Sequence, residues 1–94
     1  MAHPPLPDLV LYGRAGCHLC DDSHASIQGV LAERRRAGLP VPPVVERDID
    51  ERADWLDAYQ AAIPVIEFGD RRLDLAVGPG RIRRLLADVL DGDA

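Results

Sequence analysis

The sequence of 94 residues contains no lysine, only four aromatic residues and no long apolar run. Without about 20 consecutive apolar residues, no membrane-spanning helix is expected. The net charge of −5 argues against nucleic acid as a partner, because phosphate backbones attract basic surfaces. With so few aromatic rings, the core must consist mainly of leucine, valine, isoleucine and alanine. The length suits one domain with a modest core.

The N-terminal segment lacks the apolar stretch of a signal peptide. Residues 1–8 contain three prolines, so we expect a flexible lead, followed by a single domain over residues 9–92. Without an export signal, the expected compartment is the reducing cytoplasm, where structural disulfides are rare. The two cysteines of the chain are therefore expected to serve redox chemistry or metal binding.

Cys17 and Cys20 are spaced C-x-x-C between a short apolar run and a helical pattern. Leu9–Tyr12 predicts a buried strand, and Asp21–Arg36 predicts a helix. This order places Cys17 at or just before a helix N-terminus, where free backbone N–H groups and the helix dipole favour a thiolate. Cys20 follows one turn later on the same side. A small adjustment of that turn would let the two sulfurs form a disulfide.

The remaining patterns complete the order β-α-β-α-β-β-α. They predict these elements in chain order: Val44–Ile49, Asp50–Tyr59, Ile63–Phe68, Arg71–Val77 and Ile82–Leu90. Asp50 is expected to cap the short second helix, and the Gly69-Asp70 link suits a tight hairpin turn. Gly38 and Gly92 are expected to end the first and last helices. The run Arg34–Arg36 is expected to lie in solvent at the C-terminus of the first helix.

This combination resembles the thioredoxin-fold superfamily and, within it, the glutaredoxin-like proteins. The resemblance rests on the CHLC motif after the first strand, on Ile63-Pro64 at the head of the third strand and on Gly78 before the last helix. It implies an α/β thioredoxin-like fold, with a four-stranded mixed sheet and helices on both faces. It also implies a cis Ile63–Pro64 bond, whose turn lies against Cys17 and pairs with an incoming peptide or thiol.

The resemblance further implies a thiol–disulfide oxidoreductase that reduces disulfides or mixed disulfides. Cys17 would be the nucleophile and Cys20 the resolving thiol. The predicted substrate-binding residues are Arg14, His18, Ile63, Pro64 and Gly78. The expected partners are a disulfide-bearing protein or the mixed disulfide of a low-molecular-weight thiol, and a recycling reductant. No cofactor or metal is expected, with glutathione or another small thiol as a candidate co-substrate.

Some positions depart from the family pattern. His18-Leu19 replaces the Pro-Tyr pair of dithiol glutaredoxins, and Ala62 stands where threonine is usual. Residues 77–81 lack the Gly-Gly and acidic residue that hold the γ-glutamyl group of glutathione. Leu11 occupies the position of the buried acid of a thioredoxin. These departures weaken the case for glutathione but leave the thiol–disulfide chemistry in place.

Other classes of function fit part of the pattern. Cys17, Cys20 and His24 lie at i, i+3 and i+7 on one helical face, and all three are zinc or copper ligand types. Two copies could instead bridge an iron–sulfur cluster, as some glutaredoxins do. A non-catalytic interaction module would keep the same fold. Absorbance of the purified protein would identify a cluster, and turnover of a mixed disulfide would separate an enzyme from a module.

Overall fold

A four-stranded mixed sheet forms the centre of the computed structural model, which describes residues 6–91. Its strands are β1 (Leu9–Gly13), β2 (Val44–Asp48), β3 (Val65–Phe68) and β4 (Arg71–Leu73). Their order across the sheet is β2-β1-β3-β4. β1 runs parallel to β2 and antiparallel to β3, which in turn pairs antiparallel with β4. The mixed sheet implied by the resemblance is confirmed.

In the described part of the chain, α1 (His18–Arg36) connects β1 to β2, α2 (Ala53–Tyr59) lies between β2 and β3, and α3 (Pro79–Leu86) follows β4. A 3₁₀ turn (Ile49–Glu51) precedes α2, and a π-helical turn (Ala87–Asp91) follows α3. α1 ends as predicted, with Gly38 in the left-handed conformation at a φ of +72°. The predicted end of the last helix at Gly92 lies outside the described residues, as does most of the predicted lead over residues 1–8. Within residues 6–91, no helix is long and apolar enough to cross a membrane.

The side chains of β1 alternate between two halves of the core, because successive residues of a strand point to opposite faces. Leu9 and Leu11 pack with residues of α1 and α3 on one face of the sheet. Val10 and Tyr12 pack with residues of α2 on the other face. Helices therefore cover both faces, as a thioredoxin-like fold requires.

The second helix begins later than predicted, and Asp50 does not cap it. Asp48 caps the 3₁₀ turn instead, since its carboxylate accepts a hydrogen bond from the Asp50 N–H at 2.9 Å. Arg52 then adopts an extended backbone with a φ of −143°, and α2 starts after it without a side-chain cap. An aspartate can cap only the turn that its own backbone enters. The earlier aspartate takes that role, so the Asp50 carboxylate is available for another partner.

The strands β3 and β4 are shorter than predicted. β3 begins at Val65 rather than at Ile63 because Pro64 has no N–H to donate, and the Ile63 N–H donates to the Tyr59 carbonyl at 3.1 Å. β4 ends at Leu73, and Leu75 adopts a left-handed backbone with a φ of +46°. The two-residue link Gly69-Asp70 between these strands is confirmed, with Gly69 at a φ of +61°.

The prediction that the whole Arg34–Arg36 run is solvated is wrong for Arg34, which is only 5% exposed. Its guanidinium donates to both carboxylate oxygens of Asp91, at 2.7 and 2.9 Å. Its Nε donates to the Pro40 carbonyl at 2.7 Å. Hydrogen bonds from Arg34 hold the pKa of the Asp91 carboxyl below its usual range. The pair ties the π-helical turn to the end of α1, whereas Arg35 is exposed as predicted.

Candidate active site

The two cysteines lie where the loop after β1 enters α1. Cys17 is the N-cap residue of α1, with an extended backbone, and Cys20 lies in the first turn of the helix. A disulfide joins them, with their Cα atoms 5.2 Å apart. Gly16 allows the preceding turn because it adopts a φ of +78°, which residues with a Cβ avoid. The position of Cys17 at a helix N-terminus, predicted from the sequence, is confirmed.

The first turn of α1 directs a hydrogen-bond donor at the Cys17 sulfur. The Cys20 N–H donates to Cys17 Sγ at 3.1 Å. This N–H is one of the backbone donors that have no partner inside the helix. Such donors and the helix dipole stabilise a thiolate when the disulfide is reduced. Cys17 is partly exposed, whereas Cys20 is only 8% exposed, so the two sulfurs are not equally accessible to a substrate.

Gly13, the last residue of β1, allows Cys20 to pack closely against the sheet. A Cβ at this position would lie 3.1 Å from Cys20 Sγ and 3.2 Å from Cys20 Cβ. Both distances are shorter than ordinary van der Waals contact between these atoms. The sequence alone did not indicate this constraint on Gly13. No local sequence signal indicates the contact of this glycine with Cys20, because the contact depends on how α1 packs on the sheet.

We expect Gly13→Ala and Gly29→Ala to change stability in opposite directions. Gly13→Ala should lower the free energy of unfolding by about 1 kcal/mol, since the new methyl group overpacks against Cys20. Gly29 lies on the exposed face of α1 with no atom within 4 Å of an added Cβ. Its replacement by alanine should raise stability by about 0.5–1 kcal/mol through helix propensity. Urea unfolding of the two oxidised variants measures both effects, and equal shifts would contradict the close packing.

Arg14, in the loop after β1, has a partner that the sequence did not reveal. Its Nε donates to Asp50 Oδ2 at 3.3 Å, and its Nη2 donates to Asp50 Oδ1. The hydrogen bond to Asp50 and the charge of that carboxylate raise the pKa of Arg14. Because both side chains are more than a third exposed, the pair adds little to stability. Its effect is local, since the carboxylate offsets the positive charge near Cys17.

The Ile63-Pro64 step lies at the same edge of the sheet as the cysteines. Tyr12 pairs with Val65 across β1 and β3, so Pro64 lies beside Gly13 just beyond the last pair. The Ile63–Pro64 peptide bond is cis, as the resemblance implies. The C-terminal end of β1 and the N-terminal end of β3 therefore bring the C-x-x-C motif and this proline to one edge.

The segment after β4 reaches this edge as well. The Ala76 N–H donates to the Pro64 carbonyl at 2.7 Å, and Gly78 follows two residues later as the N-cap of α3, with a φ of +87°. Leu75 has a φ of +46°, which is unusual for a leucine, and its side chain is half exposed. Arg81 in the first turn of α3 donates to the Leu75 carbonyl at 2.6 Å. The predicted site residue Gly78 is thus held near the edge by the 75–77 segment.

His18 and His24 lie on different sides of α1. His18 is its exposed first residue, next to the disulfide. His24 Nδ1 lies 3.1 Å from Glu46 Oε1 on β2. Within residues 6–91, no group of three or more histidine, cysteine, aspartate or glutamate side chains could hold a metal ion. The alternative of a metal site at Cys17, Cys20 and His24 therefore finds no support in the described residues.

A cleft of about 580 Å³ opens beside the cysteines on the side of β2. Its walls come from the end of β1, the first two turns of α1, the end of β2 and the 3₁₀ turn. Cys20, Asp21, His24 and Glu46 all line it. Sequence analysis did not predict this cleft, because it depends on residues that lie far apart in the chain.

Comparisons with known proteins show the family and the fold of the chain. The family described as Glutaredoxin-like domain (DUF836) matches residues 8–89. The X-ray structure of the Northeast Structural Genomics target protein XcR50 from X. campestris is similar, with a TM-score of 0.67 and 30% identity over 83% of this chain and 93% of that chain. The solution structure of protein Ne2328 from Nitrosomonas europaea has a TM-score of 0.63 and 22% identity over 97% of this chain and 94% of that one, which indicates a shared fold. No curated protein sequence matches the chain.

Proposed function

Because the chain belongs to the glutaredoxin-like domain family, we propose that it is a thiol–disulfide oxidoreductase whose Cys17 and Cys20 alternate between a dithiol and a disulfide. The observation that carries this proposal is the Cys20 N–H directed at Cys17 Sγ from the first turn of α1. A sulfur in that position is stabilised as a thiolate, and a thiolate is the form that attacks disulfides.

The reduction proceeds in two exchanges. The Cys17 thiolate attacks one sulfur of the substrate disulfide, forming a mixed disulfide and releasing the other sulfur as a thiolate. Cys20 then attacks Cys17 Sγ, which forms the intramolecular disulfide and releases the second substrate sulfur as a thiol. Two electrons pass from the cysteine pair to the substrate. The greater exposure of Cys17 supports its role as the attacking residue, and the burial of Cys20 supports its role as the resolving residue.

The edge around the disulfide suits a protein substrate better than a small polar thiol. Leu19 and Leu75 are large apolar side chains that are about half exposed. The Ile63 N–H is engaged by the Tyr59 carbonyl, so an incoming peptide would pair with the Ile63 carbonyl. The Arg14 charge, which would attract the carboxylates of glutathione, is offset by Asp50. We therefore place a protein disulfide first among the substrates and the mixed disulfide of a small thiol second.

The oxidised protein must be reduced again for turnover. A low-molecular-weight thiol or a thioredoxin-type reductase system would supply the electrons. The proposal includes the location of the protein in the cytoplasm, because a reducing compartment keeps the cysteine pair in its reduced, attacking form.

A parallel reduction assay tests the proposal. The protein is offered a protein disulfide and a glutathione mixed disulfide, each with either glutathione and its reductase or thioredoxin reductase as the electron source. We expect turnover with at least one reductant and a higher rate on the protein disulfide. The double variant with serine at both cysteine positions is the control and should show no rate above background. If the fully reduced protein transfers no electrons to either substrate, it is not a disulfide reductase.

A further inference from the structure

The cleft beside the cysteines holds a histidine–carboxylate pair that the two exchanges described above do not use. His24 lies four residues after Cys20 on α1, a spacing that brings their Cβ atoms to roughly 5–6 Å on one helical face. Both residues line the same cleft. Glu46 on β2 lies 3.1 Å from His24 Nδ1 through its Oε1 atom. This contact leaves Nε2 as the ring nitrogen that would accept a proton.

Cys20 needs a proton acceptor for its step, since the thiolate and not the thiol attacks a disulfide. Its burial at 8% exposure disfavours the charged form and limits its contact with bulk water. Leu11 lines the same cleft, but it is an apolar residue of the core and accepts no proton. An imidazole is the side chain that ordinarily takes up and releases protons near neutral pH. His24 is the imidazole in the wall that Cys20 shares.

We propose that His24, held by Glu46, accepts the proton of Cys20 during resolution of the mixed disulfide. The inference rests on the proposed function and deepens it by assigning the proton transfer. The Cys20 proton passes to His24 through a water molecule in the cleft, and the Cys20 thiolate attacks Cys17 Sγ. The Cys17–Cys20 bond forms while the bond between Cys17 and the substrate sulfur breaks. The departing substrate thiolate takes the proton back from the imidazolium, so charge and protons balance.

The charged groups around the cleft suit an imidazolium intermediate. Apart from His24, the charged or titratable groups that line the cleft with Cys20 are four acids, Asp21, Glu46, Asp48 and Glu51, and two arginines, Arg14 and Arg47. The imidazolium formed by proton transfer is thus surrounded by more negative than positive charge. Glu46 is the acid in contact with the ring, which makes it the positioning residue.

The test separates the two exchanges in time. Fully reduced protein is mixed in a stopped-flow instrument with the chromogenic disulfide dithiobis(nitrobenzoic acid). Attack by Cys17 releases one coloured thiol, and resolution by Cys20 releases the second. Cys20→Ser should show only the first phase, which assigns the phases. His24→Gln should leave the first phase unchanged and slow the second about 100-fold at neutral pH, the lower end of what a positioned proton acceptor contributes.

Three further measurements distinguish proton transfer from a structural role. The pH dependence of the second phase should differ between wild type and His24→Gln, and added imidazole should restore the rate of this variant in proportion to its concentration. Glu46→Gln should slow the second phase, whereas the matched variant Glu51→Gln removes a carboxylate from the same cleft and should change it less than twofold. A second phase in His24→Gln within twofold of wild type at every pH would overturn the inference while leaving the proposed function intact. A wild-type protein without a first phase would overturn both.

Discussion

Replacing Cys20 by serine is expected to convert the protein into a trap that holds its substrate through Cys17. Cys17 keeps its exposure and its place at the N-terminus of α1, so the first exchange still occurs. The second exchange has lost its sulfur, and a protein substrate therefore remains attached. Non-reducing electrophoresis of Cys20→Ser in cell extract should show adducts that dithiothreitol removes, and mass spectrometry would then identify the attached proteins.

The Cys17→Ser variant is the matched control, because it also leaves one sulfur in the same turn of helix. Its Cys20 is buried against Gly13 and lacks the N-terminal position, so it should form no adducts. The rate of disulfide reduction should fall to background in both variants with a protein substrate. With a glutathione mixed disulfide, Cys20→Ser should keep a weak activity, since a second glutathione molecule can clear the adduct. If Cys17→Ser forms adducts and Cys20→Ser does not, the two roles are reversed.

The second large effect is a loss of stability, which we expect when the pair of Arg34 and Asp91, far from the cysteines, is broken. Asp91→Ala leaves a guanidinium that is buried at the end of α1 without its carboxylate partner. Removing one partner of a fully buried pair typically costs roughly 3–5 kcal/mol, and we expect about 2 kcal/mol here because Asp91 itself is a third exposed. Urea unfolding of the oxidised protein measures the change. Asp88→Ala is the control, since Asp88 lies in the same π-helical turn and its contact with Arg71 is an exposed one of 3.9 Å.

The same pair should make stability depend on pH. Arg34 lowers the pKa of Asp91 in the folded protein, so folding favours the ionised carboxylate. The stability that this carboxylate provides is complete above the pKa of an unfolded aspartate, about 3.9, and is lost as the pH falls through the lower folded value. The difference in unfolding free energy between wild type and Asp91→Ala should therefore shrink as the pH is lowered through this range. A difference that stays constant down to the lowest pH at which the protein folds would show that the ion pair is not its source.

The predictions of element order and of Cys17 at a helix N-terminus rest on local signals in the sequence and are confirmed. The order of strands and helices follows from hydrophobic periodicity and turn residues, each of which is contained in a window of a dozen residues. The location of Cys17 at a helix N-terminus follows in the same way, because strand, turn and helix are consecutive there. The cis bond before Pro64 did not follow from the residues, since most X–Pro bonds are trans, and only the resemblance implied it.

The features that sequence analysis missed connect residues far apart in the chain. The pairs His24–Glu46, Arg14–Asp50 and Arg34–Asp91 are separated by 22, 36 and 57 residues. Charged residues are common enough in this chain that no pattern selects one partner over another before the fold is known. The wrong assignment of Arg34 has the same origin, because an arginine run at a helix end is usually solvated and only the returning C-terminal turn buries one of its members.

Competition between neighbouring residues explains the wrong boundaries. Both Asp48 and Asp50 are suitable N-cap residues, and local propensity does not decide which of them the backbone will use. The parallel pairing of Gly13 with Asp48 extends β2 up to Asp48 and so fixes where the 3₁₀ turn begins. A tertiary contact thus determines which of the two aspartates serves as the N-cap.

The order of the strands makes β2 and β4 the edge strands of the sheet. The outer backbone N–H and C=O groups of an edge strand have no partner strand and can pair with another chain. Exposed edge strands are templates for aggregation unless they are short or charged. β4 has only three residues, of which Arg71 and Arg72 are exposed, and β2 ends in the charged sequence Glu46-Arg47-Asp48. The charged side chains on both strands and the short length of β4 oppose edge-to-edge pairing with the sheet of another chain. The proposed exchange would bring other chains to Cys17, while the two edge strands discourage their permanent association with the sheet.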